Sequence, residues 1–136
     1  MAAAFVWNVR VYWEDTDGGG IVYYANYLRF MERARSEWLR SVGVDQAGLF
    51  REQGVQFVVV EASLRYHQPA RYDDVLAVTA KVDSARGASL NFLQTVHRGS
   101  ADGALLVSAD IRVASLDATT LKPRRLPREL TEAFAA

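Results

Sequence analysis

The sequence predicts an α+β protein with one long helix and an antiparallel sheet of about five strands. One strand pattern precedes a stretch with helical spacing, and four strand patterns follow it. The later strands are joined by short connections, which link antiparallel neighbours because parallel pairs need a long crossover. The 136 residues suffice for one ordinary domain with a buried core. We therefore predict a single domain over residues 1–136.

The helix is predicted over residues 24–42. Its apolar residues recur at i, i+3 and i+4, the spacing of one helix face. They are Tyr24, Tyr27, Leu28, Met31, Ala34, Trp38, Leu39 and Val42. Gly43 stands where a C′ glycine ends a helix. At about 1.5 Å per residue the helix is roughly 28 Å long, so we expect it at the centre of the core.

The predicted strands are rich in β-branched and aromatic residues or alternate between apolar and polar side chains. They cover residues 6–13, 55–67, 74–84, 89–97 and 105–116. Gly87 and the segment 98–103 are the clearest turns between them. A single helix covers only one face of such a sheet. We therefore expect the other face, or an edge, to pair with a second copy.

Composition excludes several classes of protein. Sixteen basic residues balance sixteen acidic ones, so nothing points to nucleic acid or an anionic membrane as partner. The absence of cysteine excludes disulfides, thiolate nucleophiles and zinc sites built on cysteine. The N-terminal residues lack the pattern of a signal peptide, and no apolar run is long enough for stable membrane insertion. We expect a cytoplasmic protein.

The chemistry-bearing pattern lies in residues 13–27. Asp15 and Asp17 precede the three glycines 18–20, and the predicted helix begins directly behind them. A helix N-terminus presents unpaired N–H groups that can polarise a carbonyl and hold an oxyanion. Glycines allow close approach of the backbone to a ligand, and a nearby carboxylate can act as nucleophile or general base. This combination is suited to acyl transfer.

These carboxylates also allow two other interpretations. Asp15 and Asp17 can be plain turn or N-cap residues, because aspartate beside glycine is common in turns. A calcium loop starting at Asp15 needs an oxygen ligand at its fifth position and a glutamate at its twelfth. Gly19 and Asn26 stand there instead, so no metal site is predicted.

Motifs spread over about residues 5–130 resemble one known family. They are Val9-Arg10-Val11-Tyr12, Glu14-Asp15-Thr16-Asp17, Glu32-Arg33-Ala34-Arg35, Ser84 with Arg86-Gly87 and Ser89, and Leu121-Lys122-Pro123-Arg124. This set is similar to the pattern of the hotdog-fold 4-hydroxybenzoyl-CoA thioesterase family. The likeness is greatest to its Tol-Pal-associated acyl-CoA thioesterase branch.

The resemblance implies a hotdog fold, in which an antiparallel sheet wraps around a long helix. It implies homodimers that assemble into homotetramers, with the active site at the dimer interface, and thioester hydrolysis without metal or cofactor. The catalytic aspartate of the family falls on Asp17. The backbone amide that polarises the thioester carbonyl falls on Tyr24. Gly20 and Asn26, in the same segment, are predicted substrate contacts.

Two positions depart from the branch. The branch usually has histidine where this chain has Tyr24, and tyrosine where it has Trp13. A mechanism that needs this histidine as a proton carrier cannot operate here, which leaves Asp17 and the backbone donors. The missing histidine also counts against a hotdog dehydratase.

Glu32 and Arg35 lie three residues apart on the predicted helix, with Arg35 inside the apolar stripe. A buried arginine needs a partner, so we predict an ion pair with Glu32. Through the resemblance, Glu32 is also a candidate contact near the acyl pocket. The two histidines, His67 and His97, are expected to be packed or surface residues rather than catalysts.

Basic residues near the turns are candidates for contact with the phosphates of coenzyme A. The stronger candidates for this contact are Arg86, Gly87 and Ser89, because the resemblance implies that this turn borders the nucleotide site. Residues 122–125 are a weaker candidate, since exposed charge is usually just solvated.

The predicted function is hydrolysis of an acyl-CoA thioester to free acid and coenzyme A, with acyl carrier protein as a second possible carrier. The segments 55–60 and 76–82, which we expect to form the pocket, are mostly aliphatic and favour an aliphatic acyl group. One alternative is a hotdog protein that binds acyl carriers or envelope-associated partners with weak or no turnover. Another is a structural domain with an occluded site.

Overall fold

The structure is a computed structural model that describes residues 4–135. Its strands are β1 (Phe5–Arg10), β2 (Val55–Tyr66), β3 (Val75–Arg86), β4 (Ser89–Arg98) and β5 (Leu105–Asp117). Its helices are α1 (Asn26–Ser41), α2 (Gln46–Gln53) and α3 (Arg128–Ala135), and a 3₁₀ turn covers Trp13–Asp15. The N-terminal stretch that lacks a signal-peptide pattern includes residues 1–3, which lie outside the described residues.

The five strands form one antiparallel sheet in the order β1-β3-β4-β5-β2. β1 and β2 lie at its two edges. Helix α1 contacts β1 and β3, and the core lies between the helix and the sheet. Its largest fully buried side chains include Phe30, Met31, Leu76, Leu90, Phe92, Leu106 and Ile111. The predicted α+β hotdog fold is therefore confirmed.

Helix α1 ends as predicted but begins later. Gly43 has a φ of +86°, which glycine adopts without strain. The Gly43 N–H donates to the Arg40 carbonyl, and the Val44 N–H donates to the Leu39 carbonyl. These two bonds form a Schellman motif, which satisfies carbonyls at the helix end. At the other end, residues 24–25 form a turn, so the first helical residue is Asn26.

The predicted apolar stripe of α1 is wrong at two positions. Tyr24 and Leu28 are 62% and 42% exposed, whereas Phe30, which the stripe omits, is fully buried. The sheet covers a helix face centred on Phe30, Met31 and Ala34. Leu28 therefore lies on the flank of the helix, and Tyr24 lies in the turn before it, so the sheet covers neither side chain.

The strands agree with their predicted ranges within two residues, except β1. This strand ends at Arg10 rather than at residue 13, because the 3₁₀ turn replaces its last part. Helices α2 and α3 were not predicted. The available signals were Asp45 before α2 and Gly54 after it, which has a φ of +64° and ends the helix. None of the helices within residues 4–135 is long and apolar enough to cross a membrane.

The burial of Phe30 leads to a stability prediction. Phe30→Ala should lower the free energy of unfolding by about 3–5 kcal/mol, because it removes a fully buried ring and leaves a cavity. Phe50→Ala in α2 is the matched control, since its ring is exposed and its loss should cost under about 1 kcal/mol. Urea unfolding followed by circular dichroism measures both, and equal losses would contradict the assigned core.

Candidate active site

The segment between β1 and α1 starts with a 3₁₀ turn that is held by Asp15. The Asp15 carboxylate accepts a hydrogen bond from the Tyr12 N–H, with 2.8 Å between Oδ2 and N. The Asp15 carbonyl oxygen accepts two more, from the Tyr23 N–H at 3.0 Å and from the Asn26 side-chain amide at 2.8 Å. Asp15 is thus a capping residue. Asn26, a predicted substrate contact, uses its side chain to join the turn to the helix.

Asp17 follows in the loop, with an exposed side chain. Its N–H donates to the Ile21 carbonyl at 3.0 Å, and its Oδ1 accepts from the Gly19 N–H at 2.8 Å. Gly18 and Gly20 have φ values of +90° and +88°, which favour glycine in this tight loop. Within the described part of the chain, Oδ2 of Asp17 accepts no hydrogen bond. Asp17 therefore presents one held and one free carboxylate oxygen.

The glycine loop is anchored to the segment that precedes β3. The Gly20 carbonyl accepts a hydrogen bond from the Tyr72 N–H, and the Val22 N–H donates to the Ala70 carbonyl, each at 2.9 Å. Gly20 is a predicted substrate contact, but its carbonyl oxygen already accepts a hydrogen bond within the fold. These bonds hold the Asp17 loop against a segment that is about 50 residues away in the chain.

The N–H of Tyr24 points away from α1. The Tyr23 carbonyl accepts a hydrogen bond from the Asn26 N–H at 2.8 Å, so this carbonyl is directed into the first turn. In a planar trans peptide the C=O and the N–H point in opposite directions, and the Tyr24 N–H belongs to the same peptide. It donates no hydrogen bond within residues 4–135. Among the described residues, the helix start thus offers an unpaired outward donor, and no side chain caps it.

Tyr66, at the end of β2, holds the peptide that follows Tyr24. Its hydroxyl donates to the Tyr24 carbonyl at 3.1 Å, and the two rings meet edge-on with centroids 6.3 Å apart. Burial raises the pKa of the Tyr66 hydroxyl above its ordinary value, so it remains a donor at neutral pH. Sequence reasoning missed Tyr66, because 42 residues separate it from Tyr24 and its strand pattern carries no signal of this role.

Arg35 is buried as predicted, but its predicted ion pair with Glu32 is wrong. Among the described residues, no carboxylate oxygen lies within 4.0 Å of the Arg35 guanidinium. Its Nη1 donates instead to Gln94 Oε1 at 2.9 Å. Residues three apart on a helix can meet. Here, however, Arg35 reaches towards β4, while Glu32 remains exposed at the helix flank.

A cavity of about 300 Å³ lies between α1, α2 and the sheet. Its polar part is lined by Glu32, Arg35, Ser36 and Gln46, and the rest of the wall is apolar. The apolar lining includes Leu39, Phe57, Val58, Leu90, Phe92 and Val113. The predicted pocket segment 55–60 thus contributes to the cavity. The segment 76–82 does not, because its inward side chains pack in the core against α1.

Arg86 and Ser89, two predicted coenzyme A contacts, lie together on the face of the sheet opposite α1. They line a groove of about 800 Å³ that also contains the carboxylates of Asp83 and Asp110. Gly87 lies in the tight turn between β3 and β4 with a φ of +61°. The predicted phosphate contacts therefore lie together in one groove, which contains acidic as well as basic side chains.

Asp17 and Arg86 lie at opposite ends of β3. The Asp17 loop is bonded to Tyr72, just before β3 begins, whereas Arg86 is the last residue of that strand. The 12 residues of β3 rise about 3.3 Å each, so its two ends are separated by roughly 35 Å. A single copy of the chain therefore keeps the candidate catalytic residue far from the candidate phosphate contact.

The two histidines make local contacts. His67 Nε2 lies 2.9 Å from the Ser108 hydroxyl on the surface. The His97 ring lies between the Gly103 carbonyl at 3.1 Å and the Thr95 hydroxyl at 2.9 Å. Within residues 4–135, no three metal-ligating side chains come together in a way that could hold a metal ion.

Arg124, in the basic segment 122–125, has a role in the fold. Its guanidinium donates to the Gln53 carbonyl and lies 3.8 Å from the Asp117 carboxylate. Backbone N–H groups of the turn that follows β5 lower the pKa of Asp117, which keeps this carboxylate ionised. Arg124 therefore joins the end of α2 to the end of β5.

An exposed carboxylate and an unpaired backbone donor beside the helix start of a hotdog fold define a protein suited to acyl chemistry. The chain is similar to known thioesterases over nearly its whole length. A family model described as the thioesterase-like superfamily matches residues 11–134. The "Acyl-CoA thioester hydrolase YbgC" of Escherichia coli O6:H1 is 44% identical over 130 residues, which cover 96% of this chain and 95% of that protein.

Solved structures share the fold. The crystal structure of a probable thioesterase from Bartonella henselae is 35% identical, covers 92% of this chain and 100% of its own, and has a TM-score of 0.85. A 4-hydroxybenzoyl-CoA thioesterase with an aspartate-to-asparagine substitution, complexed with 4-hydroxybenzoyl-CoA, is 24% identical with a TM-score of 0.87 and covers 96% and 98% of the two chains. That second likeness concerns the fold alone.

The chain belongs to the thioesterase-like superfamily, and the predicted thioester hydrolase is confirmed.

Proposed function

We propose that this protein hydrolyses acyl-CoA thioesters to the free acid and coenzyme A, with Asp17 as nucleophile or general base. The observation that carries the proposal is the free Oδ2 of Asp17 in the same short segment as the unpaired N–H of Tyr24. The N–H polarises the thioester carbonyl and holds the oxyanion, a contribution typically worth about 100-fold to 1000-fold in rate. The name of the Escherichia coli relative supports acyl-CoA as the substrate class.

The acyl group is proposed to be aliphatic and to occupy the cavity beside α1. Its volume of about 300 Å³ and the apolar part of its wall support an acyl chain of limited size. Glu32 is proposed to lie at the polar rim of this acyl site. Substrates carried by coenzyme A or by acyl carrier protein share the same thioester, so parallel assays of both carriers identify the physiological one.

A second copy of the chain is proposed to complete the site. The outer edge of β2 pairs with no strand within the described residues, and Val59 and Val60 on it are 48% and 55% exposed. Such an open apolar edge favours pairing with another chain. Antiparallel pairing of two β2 edges reverses the second sheet, so its Arg86 end comes level with the Asp17 loop of the first.

In this arrangement Arg86, Gly87 and Ser89 of one copy contact the coenzyme A whose thioester lies at Asp17 of the other. The separation of roughly 35 Å between Asp17 and Arg86 within one copy supports this division. The dimers are proposed to assemble further into a homotetramer. A cytoplasmic location completes the proposal and is supported by the absence of cysteine, which suits a reducing compartment.

The first prediction from this proposed function concerns the carboxylate. Asp17→Asn should keep the fold and substrate binding but lower kcat by at least about 100-fold, because an amide is neither a nucleophile nor a useful base. Asp15→Asn is the matched control and should change kcat much less, because its side-chain oxygen can still accept the Tyr12 N–H. Released thiol, assayed over a panel of acyl-CoA substrates, measures both. Near-normal turnover by Asp17→Asn would favour the binding-protein alternative.

The second prediction concerns Tyr66. Tyr66→Phe should lower kcat by about 2-fold to 10-fold with little change in KM, since a lost hydrogen bond of about 0.5–1.5 kcal/mol loosens the peptides around Tyr24. Tyr27→Phe is the control, because its hydroxyl accepts the Ala70 N–H and should affect stability more than kcat. Steady-state kinetics and thermal unfolding separate the two effects. An unchanged kcat in Tyr66→Phe would rule out this role.

The third prediction tests the shared site with mixed oligomers. Asp17→Asn and Arg86→Ala should each have low activity at low substrate concentration and low salt, Arg86→Ala through a raised KM. When the two variants are co-expressed with different tags, about one quarter of the sites should regain both native residues. Recovered activity in the doubly tagged oligomer supports sites shared between copies. No recovery, with each variant well folded, would mean that each copy carries its own complete site.

A further inference from the structure

Arg35 is a buried cation with no carboxylate beside it in the described chain. It is only 8% exposed, and its one hydrogen bond to the described residues goes to the neutral side chain of Gln94 at 2.9 Å. The face of the Phe92 ring lies 6.0 Å from its guanidinium carbon and offsets part of the cost of burial. Burial lowers the pKa of Arg35, with Glu32 acting in the opposite direction from a distance. Such a charge is costly unless an anion meets it.

Gln94 holds the Arg35 guanidinium in a fixed place. The Gln94 side-chain nitrogen donates to the Met31 carbonyl of α1 and to the Thr79 carbonyl of β3, each at 3.1 Å. Its oxygen is thereby aimed at Arg35, and Gln94 itself is almost completely buried. A guanidinium oriented in this way loses little entropy when it binds a planar anion.

The remaining donors of Arg35 reach the cavity. Within residues 4–135, the only fully enclosed polar side-chain atom without a partner is the hydroxyl of Ser115. The guanidinium nitrogens that make no hydrogen bond are therefore not fully enclosed, and Arg35 lines the cavity. Part of the neighbouring wall is formed by apolar side chains such as Leu39, Phe57 and Leu90. The Arg35 guanidinium thus lines a cavity whose wall is part polar and part apolar.

We propose that Arg35 selects acyl groups that end in a carboxylate, so that the preferred substrates are thioesters of dicarboxylic acids. The chain of methylene groups lies along the apolar wall, and the distal carboxylate binds the Arg35 guanidinium. This inference rests on the proposed hydrolysis at Asp17 and names the substrate class of that site. Glu32 lies on the exposed rim and repels a carboxylate that stops short of Arg35, which favours chains of matching length.

The position of the cavity agrees with this assignment. It lies beside Phe57 and Val58, near the start of β2, whereas Tyr24 lies beside Tyr66 at the end of β2. Antiparallel pairing of two β2 edges brings the start of one strand next to the end of the other. The cavity of one copy is then close to the Asp17 loop of its partner copy, and the acyl chain passes from one to the other.

The test compares matched substrates with the native oligomer. Acyl-CoA thioesters of increasing length are prepared with a terminal carboxylate and, as neutral analogues, with the methyl ester of that carboxylate. At the best length, we expect kcat/KM to be at least about tenfold higher for the carboxylate. Arg35→Met should abolish this ratio. Arg29→Met, which removes an exposed arginine of the same helix, should retain it.

A second measurement does not depend on the Arg35→Met variant folding. The free dicarboxylic acid of the best length should raise the melting temperature of the native protein more than its monomethyl ester does. Arg35→Lys keeps the charge but loses the planar fork, so its carboxylate preference should fall between those of the native protein and Arg35→Met.

Three outcomes separate the hypotheses. Cleavage of both substrate series without preference for the carboxylate would overturn the role of Arg35 and leave the hydrolase function intact. The same result together with dissociation of Arg35→Met into monomers would assign the guanidinium to a carboxylate of the second copy, which also overturns the proposal. Release of no thiol from any acyl-CoA would instead refute the proposed function itself.

Discussion

The carbonyl oxygen of Asp15 is the point at which the candidate site is joined to the fold. It accepts hydrogen bonds from the Tyr23 N–H and from the Asn26 side chain, and so connects the 3₁₀ turn to the first residue of α1. The Tyr23 peptide is then oriented by its own bond to the Asn26 N–H. The outward direction of the Tyr24 N–H follows from that orientation. A helix start without a side-chain cap is thus held in place by a neighbouring turn, and its donor remains available.

The two carboxylates of the motif have different roles, because Asp15 belongs to the 3₁₀ turn and Asp17 does not. Asp15 stabilises the turn, because its side chain accepts a hydrogen bond from the Tyr12 N–H and its carbonyl oxygen accepts two further hydrogen bonds. Asp17 lies beyond the turn, where one oxygen is held by Gly19 and the other is free. The turn interpretation therefore applies to Asp15, and to one oxygen of Asp17. Hydrogen bonding to the backbone therefore distinguishes the two carboxylates.

The long antiparallel strands separate the parts of the site that one ligand would need together. β3 carries the Asp17 loop near its start and Arg86 at its end. The cavity beside α1 lies towards the same end as Arg86, because Phe57 and Leu90 are opposite β5 residues that lie two apart, and Leu90 is opposite the neighbour of Arg86 in β3. A two-fold axis at the open edge of β2 would unite these parts. The dimensions of the sheet are thus the reason why a second copy enters the proposed mechanism.

The sequence by itself determined the α+β class, the central helix, the four long strands and the segment that carries Asp17 and Tyr24. These features depend on the local periodicity of apolar residues and on glycines that adopt a positive φ. Both signals can be recognised within a short stretch of sequence. Only the tertiary structure decided that Arg35 binds Gln94 rather than Glu32, that Tyr66 holds the Tyr24 carbonyl, and that Arg86 lies far from Asp17. Each of these facts depends on which strand lies beside which helix face. Contacts between residues 40 to 60 positions apart leave no trace in a local pattern.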